Sequence, residues 1–255
     1  MAYTDIDDPS AYFQTKIYTG NGANDTAITF DGNSNLQPDF LWIKNRSEAQ
    51  SHALFDSVRG ATKRVTSNGS GAESTENTNL DSFDTNGFTV DNELIVNGSS
   101  DLMVAWGWKA NGSGSANTDG SISSTVSANT TSGFSIVKFT GNGSAGATIG
   151  HGLNSTPSMI ILKDRDLSKN WNCYHKGIDS NPQNFTIRLN SSDAKLDTPS
   201  NGWNDTAPTS SVFSIGDGTQ VNTSGSNMIA YCFAEKKGFS KFGSYTGNGN
   251  ADGTF

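Results

Sequence analysis

Apolar residues in this chain come in short runs with a period of two, separated by polar turns. Along 102–108, Val104, Trp106 and Trp108 fall on one side of an extended strand and Met103, Ala105 and Gly107 on the other. The run at 228–233 repeats the arrangement, with Ile229, Tyr231 and Phe233 opposed to Met228, Ala230 and Cys232. One face is bulky and the other small. The spacing predicts that bulky faces fill the space between the sheets of a sandwich, while small faces let another layer approach. Further strands are expected at 27–30, 40–43, 87–90 and 93–96, punctuated by turn clusters after Asp31, Asp84 and Val96. The one helix expected is short, at 51–58. The predicted fold is all-β, built from tandem antiparallel β-sandwich units of jelly-roll or lectin-like kind.

Duplication is visible in the sequence itself. An aromatic residue followed by Thr-Gly-Asn-Gly occurs three times, starting at Tyr18, Phe139 and Tyr245. Upstream, Phe13 to Tyr18 aligns with Phe134 to Phe139. Downstream, Pro38 to Arg46 aligns with Pro157 to Arg165 residue for residue, and each unit closes on the run described above. These alignments divide the chain into an acidic N-terminal arm (1–12), a first sandwich (13–112), a Gly/Ser/Thr-rich linker (113–131), a second sandwich (132–238) and the start of a third, incomplete repeat (239–255). The repeat is domain-sized, too long for a solenoid rung. Trp42 should superpose on Ile161, and Trp106 on Tyr231. The arm is expected to become ordered only against another chain, as an attachment to neighbouring proteins. The incomplete repeat, with Phe239, Phe242 and Tyr245 unpaired, points to a natural chain that continues or to pairing with another copy. It carries the expectation of a homo-oligomer.

Composition narrows the function. Charged residues make up 16% and aromatics 10% of the chain, enough ring surface for cores without the charge density of a disordered protein. The net charge of −8 and the lack of a basic stripe argue against nucleic acid as a partner. No run has the length of a membrane span, and the amino terminus lacks the basic start and apolar core of a signal peptide. Asn-x-Ser/Thr triplets, as at Asn24, Asn68 and Asn97, are expected by chance in this composition. Cys173 and Cys232 have no cysteine counterparts in the first unit, and the choice between a bond and two buried thiols stays open.

Catalytic chemistry finds no foothold, and no catalytic residue is assigned. His52, His151 and His175 are scattered, no metal-ligand spacing is present, and no nucleophile elbow occurs. Two carboxylates suffice for a glycosidase, but few of the 25 acidic residues recur between units. No cofactor is expected, with calcium at the Asp31–Asn35 loop as the alternative. The ligand-binding candidates are Trp171 and Trp203, in polar turn-like contexts, and the paired cations Lys44, Arg46, Lys163 and Arg165. Each has a plainer reading: a tryptophan capping a sandwich end, and strand-end cations with local carboxylate partners. The repeated aromatics of the closing strands read as core in preference to a sugar-stacking platform.

Several segments resemble a family of repeat-built virion proteins of marine tailed bacteriophages. They are Asp7 to Lys16, the three Thr-Gly-Asn-Gly motifs, Trp42 to Arg46, Ser51 to Asp56, Arg59 to Lys63 and Trp203 to Pro208. The resemblance covers nearly the whole chain and supplies no catalytic residue. It implies a tail-associated or fibre-like structural protein, assembled in the host cytoplasm and extracellular after lysis. A trimer is the expected oligomer, and host surface polysaccharide the expected ligand. The alternatives are a head decoration or horn-like appendage without receptor activity and a polysaccharide-degrading tailspike.

Overall fold

The computed structural model of the chain describes residues 4–250. The first unit contains β1 (Phe13–Thr19), β2 (Thr26–Ile28), β3 (Phe40–Asn45), β4 (Ala53–Asp56), β5 (Gly60–Thr66), β6 (Ser74–Thr75), β7 (Leu80–Asp84), β8 (Gly87–Val90), a four-residue helix α1 (Leu94–Asn97) and β9 (Leu102–Trp108). The second contains β10 (Ser115–Asn117), β11 (Ser124–Asn129), β12 (Phe134–Thr140), β13 (Ala147–Gly150), β14 (Met159–Asp164), β15 (Asn172–His175), β16 (Phe185–Arg188), β17 (Leu196–Asp197), β18 (Val212–Ile215) and β19 (Asn227–Phe233). The chain is all-β, with antiparallel sheets packed face to face.

Each unit is a large sheet covered by a small one. The orders β1-β9-β3-β4-β5-β6 and β12-β19-β14-β15-β16-β17 are the same path through two copies, and β2-β8-β7 and β13-β18 are the small covers. Register agrees as well: Trp42 lies opposite Trp106 in the first unit, and Ile161 opposite Tyr231 in the second.

The two faces of the closing strands have the reverse of their expected roles. Met103 and Ala105 join the first unit's own core with Phe30 and Phe88 from the cover, and Met228, Ala230 and Cys232 join the second's with Trp203 and Phe213. The small residues are needed because cover-sheet rings lie on them; a Cβ on Gly107 would sit 2.6 Å from the ring of Phe30. The bulky faces instead pack the two units against each other. Phe40 meets Tyr231 at 4.3 Å between ring centroids and Phe134 at 5.9 Å. Burying both aromatic faces in one seam is the larger hydrophobic gain, since each ring removes about 150–250 Å² from water.

Other expectations also change. Residues 53–56 are a strand, not a helix, because all four side chains are buried between the unit core and the seam. The 93–96 stretch turns into α1, with the Val96 and Asn97 amides both bonded to the Glu93 carbonyl. The supposed linker is part of the second sheet: β10 and β11 extend it beyond β12, and Ile122, Val126 and Ala128 point into the core with period two despite the polar composition. Among the described residues β1, the counterpart of β12, pairs with β9 alone.

The arm is held by its own chain. Ile6 is buried, the Asp5 amide bonds the Lys237 carbonyl at 3.1 Å, and the Asp8 carboxylate accepts from the Ser10 amide and the Ser34 hydroxyl. Tyr12 packs edge-on against Phe239, and Phe242 against Phe233 and His175. Two of the three aromatics expected to need a partner chain are thus covered in cis; Tyr245 stays exposed. Residues 1–3 and 251–255 of the arm and third repeat lie outside the described residues.

The Thr-Gly-Asn-Gly motif has a structural explanation. In the first unit, buried Asn97 accepts from the Asn21 amide and donates to Asn21 Oδ1 and the Ala23 carbonyl. In the second, buried Asn222 does the same for Asn142 and Ser144. The glycine before each loop asparagine must be bare: a Cβ on Gly20 or Gly141 would come within 2.2 or 2.4 Å of a carbonyl oxygen. The glycine after it has φ near +70° in both copies.

Candidate functional site

The structure separates the six expected ligand residues and gives most of them structural work. Trp171 is buried in the seam, its indole N–H donating to the Thr66 carbonyl at 2.9 Å, and Trp203 is buried in the second core beside Tyr174. Neither is a surface platform; polar neighbours in sequence hid the fact that these rings point inward. Lys44 and Lys163 perform one task twice, each amine curling back onto carbonyls one and four residues ahead. Burial lowers the Lys163 pKa to about 8, against the pull of Asp164. Arg46 is exposed, and Arg165 is committed to Glu73 through two bonds of 2.8 and 2.7 Å.

That last pair belongs to a buried ionic network across the seam. Arg59 bonds Asp56 through Nε and Glu73 through an amino group, Tyr231 donates its hydroxyl to Asp56 at 2.7 Å, and Arg165 closes the chain on Glu73. Burial opposes the charged form of Arg59, but Asp56, Tyr231 and Glu73 outweigh it and raise its pKa. Burial likewise opposes the Glu73 carboxylate, yet Arg165 and Arg59 hold its pKa below the usual range. Two carboxylates meet two guanidiniums, so the network is neutral and fixes how the units dock.

Open chemistry lies instead on the part of the first unit's bulky face that the second unit leaves uncovered. Trp42, Trp106, Trp108 and His52 line a groove of about 300 Å³. Trp42 and Trp106 are direct cross-strand neighbours on β3 and β9, and all three indoles are only half-buried. Trp42 Nε1 donates to His52 Nδ1 at 2.8 Å, which leaves Nε2 to carry the proton of the neutral ring. Burial, then Lys44, lowers the His52 pKa, so this neutral form is favoured. Beyond the groove the same face carries Val104 and the exposed Ile17 and Leu102, with Thr15 and Lys44 beside them.

A family model described as a domain of unknown function, DUF7483, matches residues 8–255. The chain belongs to the DUF7483 family. No curated protein and no solved structure matches it. In this DUF7483 chain the match takes in both units, the seam and the groove. Sequence reading placed Trp106 and Trp108 in the core because the closing strands of both units carry bulky residues there. The available signal was the difference between copies: where the first has Trp42 and Trp106, the second has Ile161 and Tyr231. Among the described residues no cluster of three or more His, Cys, Asp or Glu could hold a metal ion. Asp31, in the loop considered for calcium, pairs with Lys16 at 2.8 Å.

The cysteines are free and lie on opposite sides of the second large sheet, Cys173 in the seam and Cys232 in the unit core. Burial pushes both thiols up to about 12 and raises Tyr18 and Tyr231 as well. These acids keep their protons in the folded chain after the unfolded chain has lost them. Their contribution is therefore intact below about pH 9 and is lost as pH rises toward 12, by up to about 1.4 kcal/mol per pH unit for each group. Lys163 acts oppositely between about pH 8 and 10.5, but it is one group against five, since burial raises Tyr174 too. Urea midpoints should fall steadily from pH 9 to 11, and the Cys173→Ala/Cys232→Ala pair should shallow that slope. A flat profile would mean that these groups titrate in contact with water.

Proposed function

We propose that this chain is a non-catalytic structural and adhesive protein of a virion surface, and that the groove of Trp42, Trp106, Trp108 and His52 is its contact for host glycans. The carrying observation is the set of neighbouring, half-exposed indoles on a rigid sheet. Flat aromatic faces stack on the C–H faces of pyranose rings, and His52 Nε2–H supplies a donor for a sugar oxygen. A groove lined by no lysine or arginine, on a chain of net charge −8, favours a neutral polysaccharide over an acidic one. The duplicated architecture and the virion-protein resemblance support the structural half of the reading. The edge of β1, which no strand among the described residues pairs, and the exposed Ile17 support a homo-oligomer, in which several weak sugar contacts would add by avidity.

Trp106 is the discriminating residue because it belongs to none of the buried cores. Trp106→Ala should leave thermal unfolding nearly unchanged and reduce retention on immobilised host polysaccharide by about tenfold or more. Equal retention would remove the groove from the reading. Shortened polysaccharide after incubation would make the protein an enzyme instead.

A further inference from the structure

Beside the groove, where the seam meets both terminal segments, is a second space of about 320 Å³ with different chemistry. Phe13 and Trp108 wall it from the first unit, Phe134 and Phe233 from the second, and Phe242 from the C-terminal segment. It is about ten times the ~30 Å³ share of one water molecule in the liquid, and apolar walls offer water few partners. Three wall residues carry hydroxyls, Tyr12, Ser132 and Ser240, and that of Ser240 is already bonded to the Lys236 amide and the Ala234 carbonyl. Ser132 is 5% exposed, it lines the cavity, and its hydroxyl oxygen has no hydrogen-bond partner among the described residues. A buried hydroxyl left unpaired is destabilising, and native structures rarely keep one without a use.

The loop that carries Ser132 is firmly placed. The Ser132 amide bonds Asn129 Oδ1 at 3.0 Å, and Gly133 exchanges backbone bonds with Asn129 and Ala234. Gly133 has φ +74°, and a Cβ there would meet the Ala234 carbonyl at 2.4 Å, so the backbone holds the serine at the cavity wall. We infer that this cavity binds a small neutral ligand with an aromatic or alkyl body and one hydrogen-bonding group, which pairs with Ser132 Oγ. Sugars do not fit the description, because their many hydroxyls would go unpaired against these walls. The site is thus separate in specificity from the neighbouring groove, although Trp42 and Trp108 border both.

The test uses 2-naphthol and naphthalene as probes of the full chain, followed by NMR of the Ser132 and Gly133 amides. 2-Naphthol should shift both amides and bind about five- to tenfold more tightly than naphthalene, the advantage of one added hydrogen bond. Ser132→Ala should bring the two affinities together and, without ligand, raise the thermal midpoint by removing the unpaired hydroxyl; a serine that merely supports the loop would lower it. Met159→Trp, at a half-buried wall position, should fill the space and abolish binding of both probes while leaving polysaccharide retention intact. If Met159→Trp unfolds the chain, the Ser132→Ala comparison decides alone. Absence of binding by both probes, an affinity ratio unchanged in Ser132→Ala, or full binding to a folded Met159→Trp variant would overturn the assignment.

Discussion

Arg59→Met is expected to remove about 3–5 kcal/mol of folding stability, the usual loss when one partner of a buried ion pair is deleted. The guanidinium is fully buried and makes bonds to Asp56, Glu73, the Leu54 and Lys63 carbonyls and the Tyr231 hydroxyl. Methionine matches its stem but leaves Asp56 without its counter-charge beneath the seam. Glu73 retains Arg165, so most of the loss falls on Asp56. Tyr231→Phe, which deletes one donor to the same carboxylate, should cost about 1–2 kcal/mol. Denaturant unfolding measures both. A loss below about 1 kcal/mol for Arg59→Met would mean that water reaches the network and that aromatic packing alone holds the units together.

The second large effect is expected at Asn222, where the conservative change should be as harmful as truncation. Its Nδ2 donates to Asn142 Oδ1 and to the Ser144 and Gly216 carbonyls at 2.9–3.2 Å, while Oδ1 accepts from the Asn142 and Gly143 amides. A carboxylate in place of this amide would present an oxygen to three oxygens, so Asn222→Asp and Asn222→Ala should each lose about 2–4 kcal/mol, with several buried groups left unpaired. Thermal unfolding and hydrogen exchange of the 141–144 amides report the outcome. If Asn222→Asp keeps wild-type protection there, the side chain is not what orders the loop.

The sequence made the β-architecture legible because duplication doubles each signal. Matching Trp42 with Ile161 and Trp106 with Tyr231 aligned two strands at once, and the observed register agrees. What it could not give was the partner of each face. Strand alternation separates Trp106 from Ala105 but does not say which side meets the cover sheet and which meets the other unit, since both interfaces are apolar. Trp171 and Trp203 misled for a related reason: Asn and Gly neighbours shape the turns that carry them, while the rings turn inward. The strand at 53–56 was obscured by its burial on both faces, which erases the alternation that marks a strand. The groove emerged only once the extent of the seam was known, and Ser132 only once its hydroxyl could be placed.

The seam also governs how chains of this design can grow. Each unit has one bulky apolar face, and here most of each is spent on the other, the tryptophan groove of the first unit excepted. A single unit appended to such a chain would find only that groove to meet its own face and would leave most of its row of rings in water, prone to aggregation. Two units added together would satisfy each other. The increment that this packing favours is therefore the couple.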